Sequence, residues 1–173
     1  MIKSIKKLGV LLLSLVLLTA LSSCNTTRDT EPFSAFSGDV QAEVYLTLGE
    51  SSSKSVFKRI GGTETVTFSE PSELSGYVFE KTGDKITLSY GDVHAEVSPS
   101  VGRIMLVSSA VFSPSKDGIS SISAKEENGE KFTDIVCGDV TYRFSKDGTP
   151  ISAVGFVFGV SFSAEILSIG GAK

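Results

Sequence analysis

The sequence predicts a mainly β fold of the α+β class, built from antiparallel strands with one helix. Three observations carry this. Apolar residues recur with period two over most of the chain after Gly38. Tight-turn pairs separate the alternating runs: Gly61-Gly62, Gly91-Asp92, Asn128-Gly129 and Asp147-Gly148. Such short connections join antiparallel strands. One interval, Val101 to Phe112, switches to spacings of three and four.

The chain begins with a different kind of segment. Lys3, Lys6 and Lys7 precede an aliphatic run from Leu8 to Leu18, followed by Thr19-Ala20-Leu21-Ser22-Ser23-Cys24. A basic start, a short apolar core and small residues before a cut mark an exported precursor. The run is shorter than the roughly 20 residues a spanning helix needs. Leu21-Ser22-Ser23-Cys24 resembles the bacterial lipobox. The resemblance implies cleavage between Ser23 and Cys24, diacylglycerylation of the Cys24 thiol with palmitate-type chains, and anchorage of the mature N-terminus in a membrane. Two or more acyl chains hold a protein on a bilayer stably, since each buried CH₂ contributes about 0.8 kcal/mol. The expected organisation is a signal peptide over residues 1–23, a lipidated tether over 24–36 and one domain over 37–173.

Removal of the first 23 residues from 173 leaves 150, the size of a single domain. The whole chain carries a formal charge of −4, and loss of the three leader lysines brings it near −7. An acidic chain argues against nucleic acid as a partner. With Cys24 assigned to the anchor, Cys137 stands alone and no disulfide framework is expected.

Asn25 to Glu31 is polar and aperiodic, and Pro32 to Phe36 brings the chain to the domain, with a short helical turn. Val40, Ala42, Val44, Leu46 and Leu48 then form the dry face of a long strand. Gly49 to Ser53 reads as a turn and Ser55 to Ile60 as the next strand. Glu64 to Ser69 follows with Val66 and Phe68 on one face, and Pro71 stops it. Gly76 to Lys81 and Lys85 to Tyr90 are strands, answered across Gly91-Asp92 by Val93, Ala95 and Val97. The helix takes Val101, Ile104, Met105, Ser108, Val111 and Phe112 as its apolar face and ends before Pro114. Gly118 to Glu126, Glu130 to Cys137, Val140 to Ser145, Pro150 to Phe158 and Val160 to Ile169 complete about ten strands.

The stretch Val66-Thr67-Phe68-Ser69-Glu70-Pro71-Ser72-Glu73-Leu74-Ser75-Gly76-Tyr77-Val78-Phe79, continued by Gly83 to Tyr90, resembles Gram-positive lipoproteins with a domain like the LolA/LolB lipoprotein-localisation proteins. Val140-Thr141-Tyr142-Arg143-Phe144 and Asp147-Gly148-Thr149-Pro150 suit the same family. The resemblance implies an antiparallel sheet curled into an incomplete β-barrel, with one helix covering an apolar concavity. Carrier members of the wider group hold acyl chains there, and other members are envelope sensors or partner proteins. No position here matches a known ligand-binding residue of the family.

No stretch spells out a reaction. His94 is the single imidazole and lies by alternation on a wet strand face with Glu96; solvation accounts for it. Cys137 precedes a turn and reads as a small apolar residue. Glu70 with Glu73, Asp92 with Glu96, and Glu126-Glu127 pair carboxylates as glycoside hydrolysis requires, but at turns and on wet faces. No metal-ligand spacing and no cofactor motif is present. The leading reading is a non-enzymatic, membrane-anchored module that binds a lipid or acyl chain. It sits on the outer face of the cytoplasmic membrane, or in the outer membrane of a two-membrane cell. The alternative is an anchored adaptor for a cell-wall or sporulation-related envelope protein, and a third reading, an envelope hydrolase, requires His94 or a carboxylate pair to act.

Overall fold

The computed structural model describes residues 33–172. Residues 1–32, with Ser23 and Cys24, and Lys173 lie outside the described residues.

The described residues form eleven strands and one α-helix: β1 (Val40–Leu48), β2 (Ser51–Ile60), β3 (Thr63–Glu70), β4 (Tyr77–Thr82), β5 (Lys85–Tyr90), β6 (Val93–Val97), α1 (Arg103–Phe112), β7 (Ile119–Glu127), β8 (Glu130–Cys137), β9 (Val140–Ser145), β10 (Pro150–Val157) and β11 (Val160–Gly171). All strands belong to one sheet in the order β6-β5-β4-β3-β2-β1-β11-β10-β9-β8-β7. Every pairing is antiparallel. The N-terminal and C-terminal meanders are therefore joined by the β1–β11 pair, while β6 and β7 remain free edges. The sheet is an incomplete barrel, and α1 is the connection that leads from one edge strand to the other.

Alternation decides which face is inside. Val40, Ala42, Val44 and Leu46 of β1 are buried, while Tyr45 between them is 43% exposed. Pairing carries this face across the sheet. Ala42 lies opposite Phe57, Phe57 opposite Val66, and Val66 opposite Phe79. On the other side Leu46 lies opposite Ala164, Ala164 opposite Ala153, and Ala153 opposite Tyr142. A register shift between Glu43 and Val44 places Leu167 outside the pairing, so inward residues on β11 pass from Ile166 to Ile169. Leu167 faces outward by alternation and is 45% exposed, and the bulge turns Ile169 instead of Ser168 back onto the core.

The helix sits on this concave face. Ile104, Met105, Val107, Ser108, Val111 and Phe112 are buried, so the spacing of three and four is realised. Val101, expected within the helix, is 58% exposed and lies in the preceding turn, where its N–H donates to the Ser98 carbonyl. Gly102 makes the close approach at the helix start possible: a Cβ there would meet Ile86 at 2.8 Å. Gly155 does the same within the sheet, where a Cβ would stand 2.5 Å from the Asp139 carbonyl oxygen.

Two expectations need correction. The turn expected over Gly49 to Ser53 is only Gly49-Glu50, and β2 begins at Ser51, paired with Leu48. Backbone pairing to β1, assisted by the Thr47–Ser52 hydroxyl contact of 3.0 Å, extends the ladder through serines that carry no apolar signal. Phe33 and Phe36, placed at the end of the tether by the sequence reading, are 5% and 4% exposed. They flank a 3-10 turn over Ser34–Phe36 and pack on Tyr142 and Phe144, with Phe33 to Tyr142 ring centroids 4.9 Å apart. Burial of two phenylalanines, each contributing about 1.5–3 kcal/mol, draws this segment into the core.

Candidate functional site

The interior is filled at one end. Phe112 at the close of α1 stacks on Phe57 at 4.2 Å with an interplanar angle of 13°. Phe36 meets Phe112 edge-on at 5.8 Å. The Tyr142 hydroxyl donates to the Ala110 carbonyl, and burial, with Cys137 nearby, raises its pKa above the usual tyrosine value.

A polar latch lies beside this aromatic cluster. Pairing aligns Arg59, Glu64 and Lys81 in one row on the concave face. Arg59 donates from Nη1 to the Phe112 carbonyl at 2.8 Å and to Ser113 Oγ at 2.6 Å. It also donates to the Gly38 carbonyl, at 3.1 Å from Nη2 and 3.2 Å from Nε, and to the Phe36 carbonyl. A guanidinium suits the end of α1, where carbonyls lack helical partners. Glu64, 6% exposed, accepts from Ser109 and, at 2.9 Å, from Ser113, and Lys81 Nζ lies 3.8 Å away. The row ties the helix end and the incoming N-terminal segment to the sheet. The sequence reading named neither Arg59 nor Glu64 as an interior residue. Parity was the available signal: Glu64 is two residues from Val66, and Arg59 two from Phe57.

The opposite end of the concave face is left open. Strand direction places the end of β3, the start of β4, the end of β5 and the start of β6 together there. Their inward residues are Phe68, Tyr77, Phe79, Leu88, Tyr90, Val93 and Ala95. Phe68, Phe79 and Leu88 are half-buried, whereas Tyr90 is 54% and Val93 70% exposed. Phe68 and Phe79 pack edge-on at 6.1 Å, and the Tyr77 and Tyr90 rings lie 4.7 Å apart. Four strands at about 4.8 Å spacing make this an apolar shelf roughly 14 Å across. It is a concave, aromatic-lined surface of the kind that takes apolar ligands.

The other sequence candidates do not converge on it. His94 is exposed on the outer face of β6, with Nδ1 2.9 Å from Ser89 Oγ. Cys137 is half-buried and its thiol donates to the Ser115 carbonyl at 3.1 Å. Glu70 and Glu73 are exposed at the β3–β4 connection, Asp92 in the β5–β6 turn, and Glu96 faces Lys85 at 4.0 Å. Glu127 belongs to a separate outer-face cluster: Arg143 holds it at 2.8 and 3.0 Å and holds Asp134 at 2.9 and 3.2 Å, with its guanidinium 5.2 Å from the Phe132 ring. Among the described residues no three His, Cys, Asp or Glu side chains are grouped to hold a metal ion. No helix among them is long and apolar enough to cross a membrane.

Fold and site together define an antiparallel half-barrel, closed at one end by a latched helix and open at the other over an aromatic shelf. No protein-family model matches the chain, and no curated protein matches it in sequence. Among solved structures, it is similar to an uncharacterized conserved protein from Thermus thermophilus, with 12% identity and a TM-score of 0.48, covering 80% of this chain and 82% of that one. It is similar to a LolA superfamily protein from Nitrosomonas europaea, with 10% identity and a TM-score of 0.44, covering 79% and 87%. The Mycobacterium tuberculosis lipoprotein LppX is similar at 15% identity and a TM-score of 0.44, covering 76% and 87%. These are likenesses in the path of the chain and say nothing of ligand or activity.

Proposed function

We propose that this is a non-enzymatic lipoprotein of the bacterial envelope, anchored through Cys24, whose half-barrel binds the acyl part of a lipid on its concave shelf. One observation carries the binding reading. The inward faces of β3 to β6 present Phe68, Phe79 and Leu88 half-buried and Tyr90 and Val93 exposed, on the same side of the sheet whose central strands carry the core. A sheet that merely needed stability would cover this surface, since exposed concave apolar area forfeits about 25 cal/mol per Å². Solvent extraction of the purified residues 25–173, which contain the whole sheet, helix and core, followed by mass spectrometry, is expected to yield bound lipid. The double variant Tyr90→Glu with Val93→Glu removes the Tyr77–Tyr90 ring contact and sets two carboxylates opposite each other on an edge hairpin, so it should cost about 1–2 kcal/mol and leave the domain folded. It is expected to weaken binding of a fluorescent acyl probe at least tenfold, about 1.4 kcal/mol. A clean extract with no probe binding by the parent protein would sink the reading.

The anchor is tested separately. Cys24→Ala in the full chain is expected to release the protein from the membrane fraction or leave it unprocessed. A processed variant that still sediments with membranes would refute acylation at Cys24.

A further inference from the structure

The loops that border the shelf carry charge of one sign. The β3–β4 connection, residues 71–76, contributes Glu73 and follows Glu70 at the end of β3. The β5–β6 turn is Gly91-Asp92, and the β1–β2 turn at the same end of the sheet is Gly49-Glu50. No lysine or arginine stands in these three connections. The basic residue of β2 closest to that end, Lys54, lies on the outer face opposite Tyr45 and is engaged by Glu43 at 2.8 Å. That hydrogen bond raises its pKa. The basic residues of β4 and β5, Lys81 and Lys85, sit at the far ends of their strands beside Thr82 and Asp84, with Lys81 turned to Glu64 and Lys85 to Glu96. An acyl chain lying on Phe68, Phe79 and Leu88 with its polar end toward the opening therefore meets carboxylates and the Tyr77 and Tyr90 phenols, and no cation of these strands and turns among the described residues.

We propose that the shelf is selective by head-group charge: it accepts acyl lipids whose head is uncharged or carries an amine, and rejects free fatty acids and anionic phospholipids. This rests on the reading of the shelf as a lipid site. A carboxylate or phosphodiester beside Glu73 and Asp92 meets repulsion that a glycerol head escapes, and that repulsion is partly screened by salt. Selection works through repulsion of the wrong ligand as much as attraction of the right one.

The test compares three ligands with the same sixteen-carbon chain, monopalmitoylglycerol, palmitate and palmitoyl lysophosphatidylglycerol, displacing a neutral fluorescent acyl probe from residues 25–173 at pH 8 and low salt. Monopalmitoylglycerol is expected to bind about tenfold more tightly than either anion. The Glu73→Lys/Asp92→Lys variant changes two exposed side chains and should narrow the gap to about twofold by tightening the binding of the two anions. Palmitate binding as tightly as the glycerol ester, or a gap unchanged by the reversal, overturns the selectivity and leaves the lipid site standing. Failure of all three ligands and of the probe overturns the lipid site and the selectivity together.

Discussion

Replacing Arg59 by alanine is expected to lower the unfolding free energy by about 3 kcal/mol, roughly 10 °C in Tm for a domain of this size. The guanidinium donates to the carbonyls of Phe36, Gly38 and Phe112 and to Ser113 Oγ. Two of those carbonyl contacts are partly buried, at Phe36 and Phe112. Each carbonyl that loses its donor without gaining water costs about 1–3 kcal/mol. Exposed surface pairs contribute well under 1 kcal/mol by comparison, so position and not charge makes Arg59 matter. Arg59→Lys separates the two: an ammonium keeps the charge but cannot reach several acceptors in one plane. It should recover less than half of the loss. Urea denaturation of residues 25–173 measures both, and a loss under 1 kcal/mol for Arg59→Ala would show that the latch does not hold the helix.

How far the sequence discloses this molecule depends on whether a residue's partner is local. The dry face of β1 is legible because Val40, Ala42, Val44 and Leu46 alternate without interruption and all four are buried. The helix is legible because its apolar spacing meets the concave face of the sheet, and only its start is displaced, at Gly102 where Ile86 approaches. By contrast the inward face of β2 reads Ser53, Ser55, Phe57 and Arg59, and no hydrophobic pattern picks it out. Ser55 is nevertheless 3% exposed, because Val44 and Phe68 flank it across the ladder. The Arg59 acceptors lie 21 to 54 residues away in sequence, a distance at which spacing carries no information. The shelf is legible in composition but not in exposure: Val66, Phe68, Phe79 and Leu88 all alternate inward, and only the reach of α1 determines that Val66 is core and Leu88 is open.

Phe112→Ala is expected to be the most damaging single truncation in the domain, at about 4 kcal/mol. The ring is 2% exposed and lies face to face with Phe57 while Phe36 meets its edge. These three rings come from the helix end, β2 and the incoming N-terminal segment, so no single element can collapse to fill the space, and a residual cavity adds to the transfer cost. Phe112→Leu keeps most of the volume and should cost less than about 2 kcal/mol. A double-mutant cycle with Phe57→Ala is expected to show coupling of about 0.5–1.5 kcal/mol, the range of a direct aromatic pair. If the two losses simply add, the two rings fill space independently and the stacked pair is not what fixes the helix end. Because α1 borders the open shelf, the same cycle bears on function. Phe112→Leu should leave affinity for the acyl probe nearly intact, whereas Phe112→Ala should weaken it by loosening the helix at a point remote from the ligand.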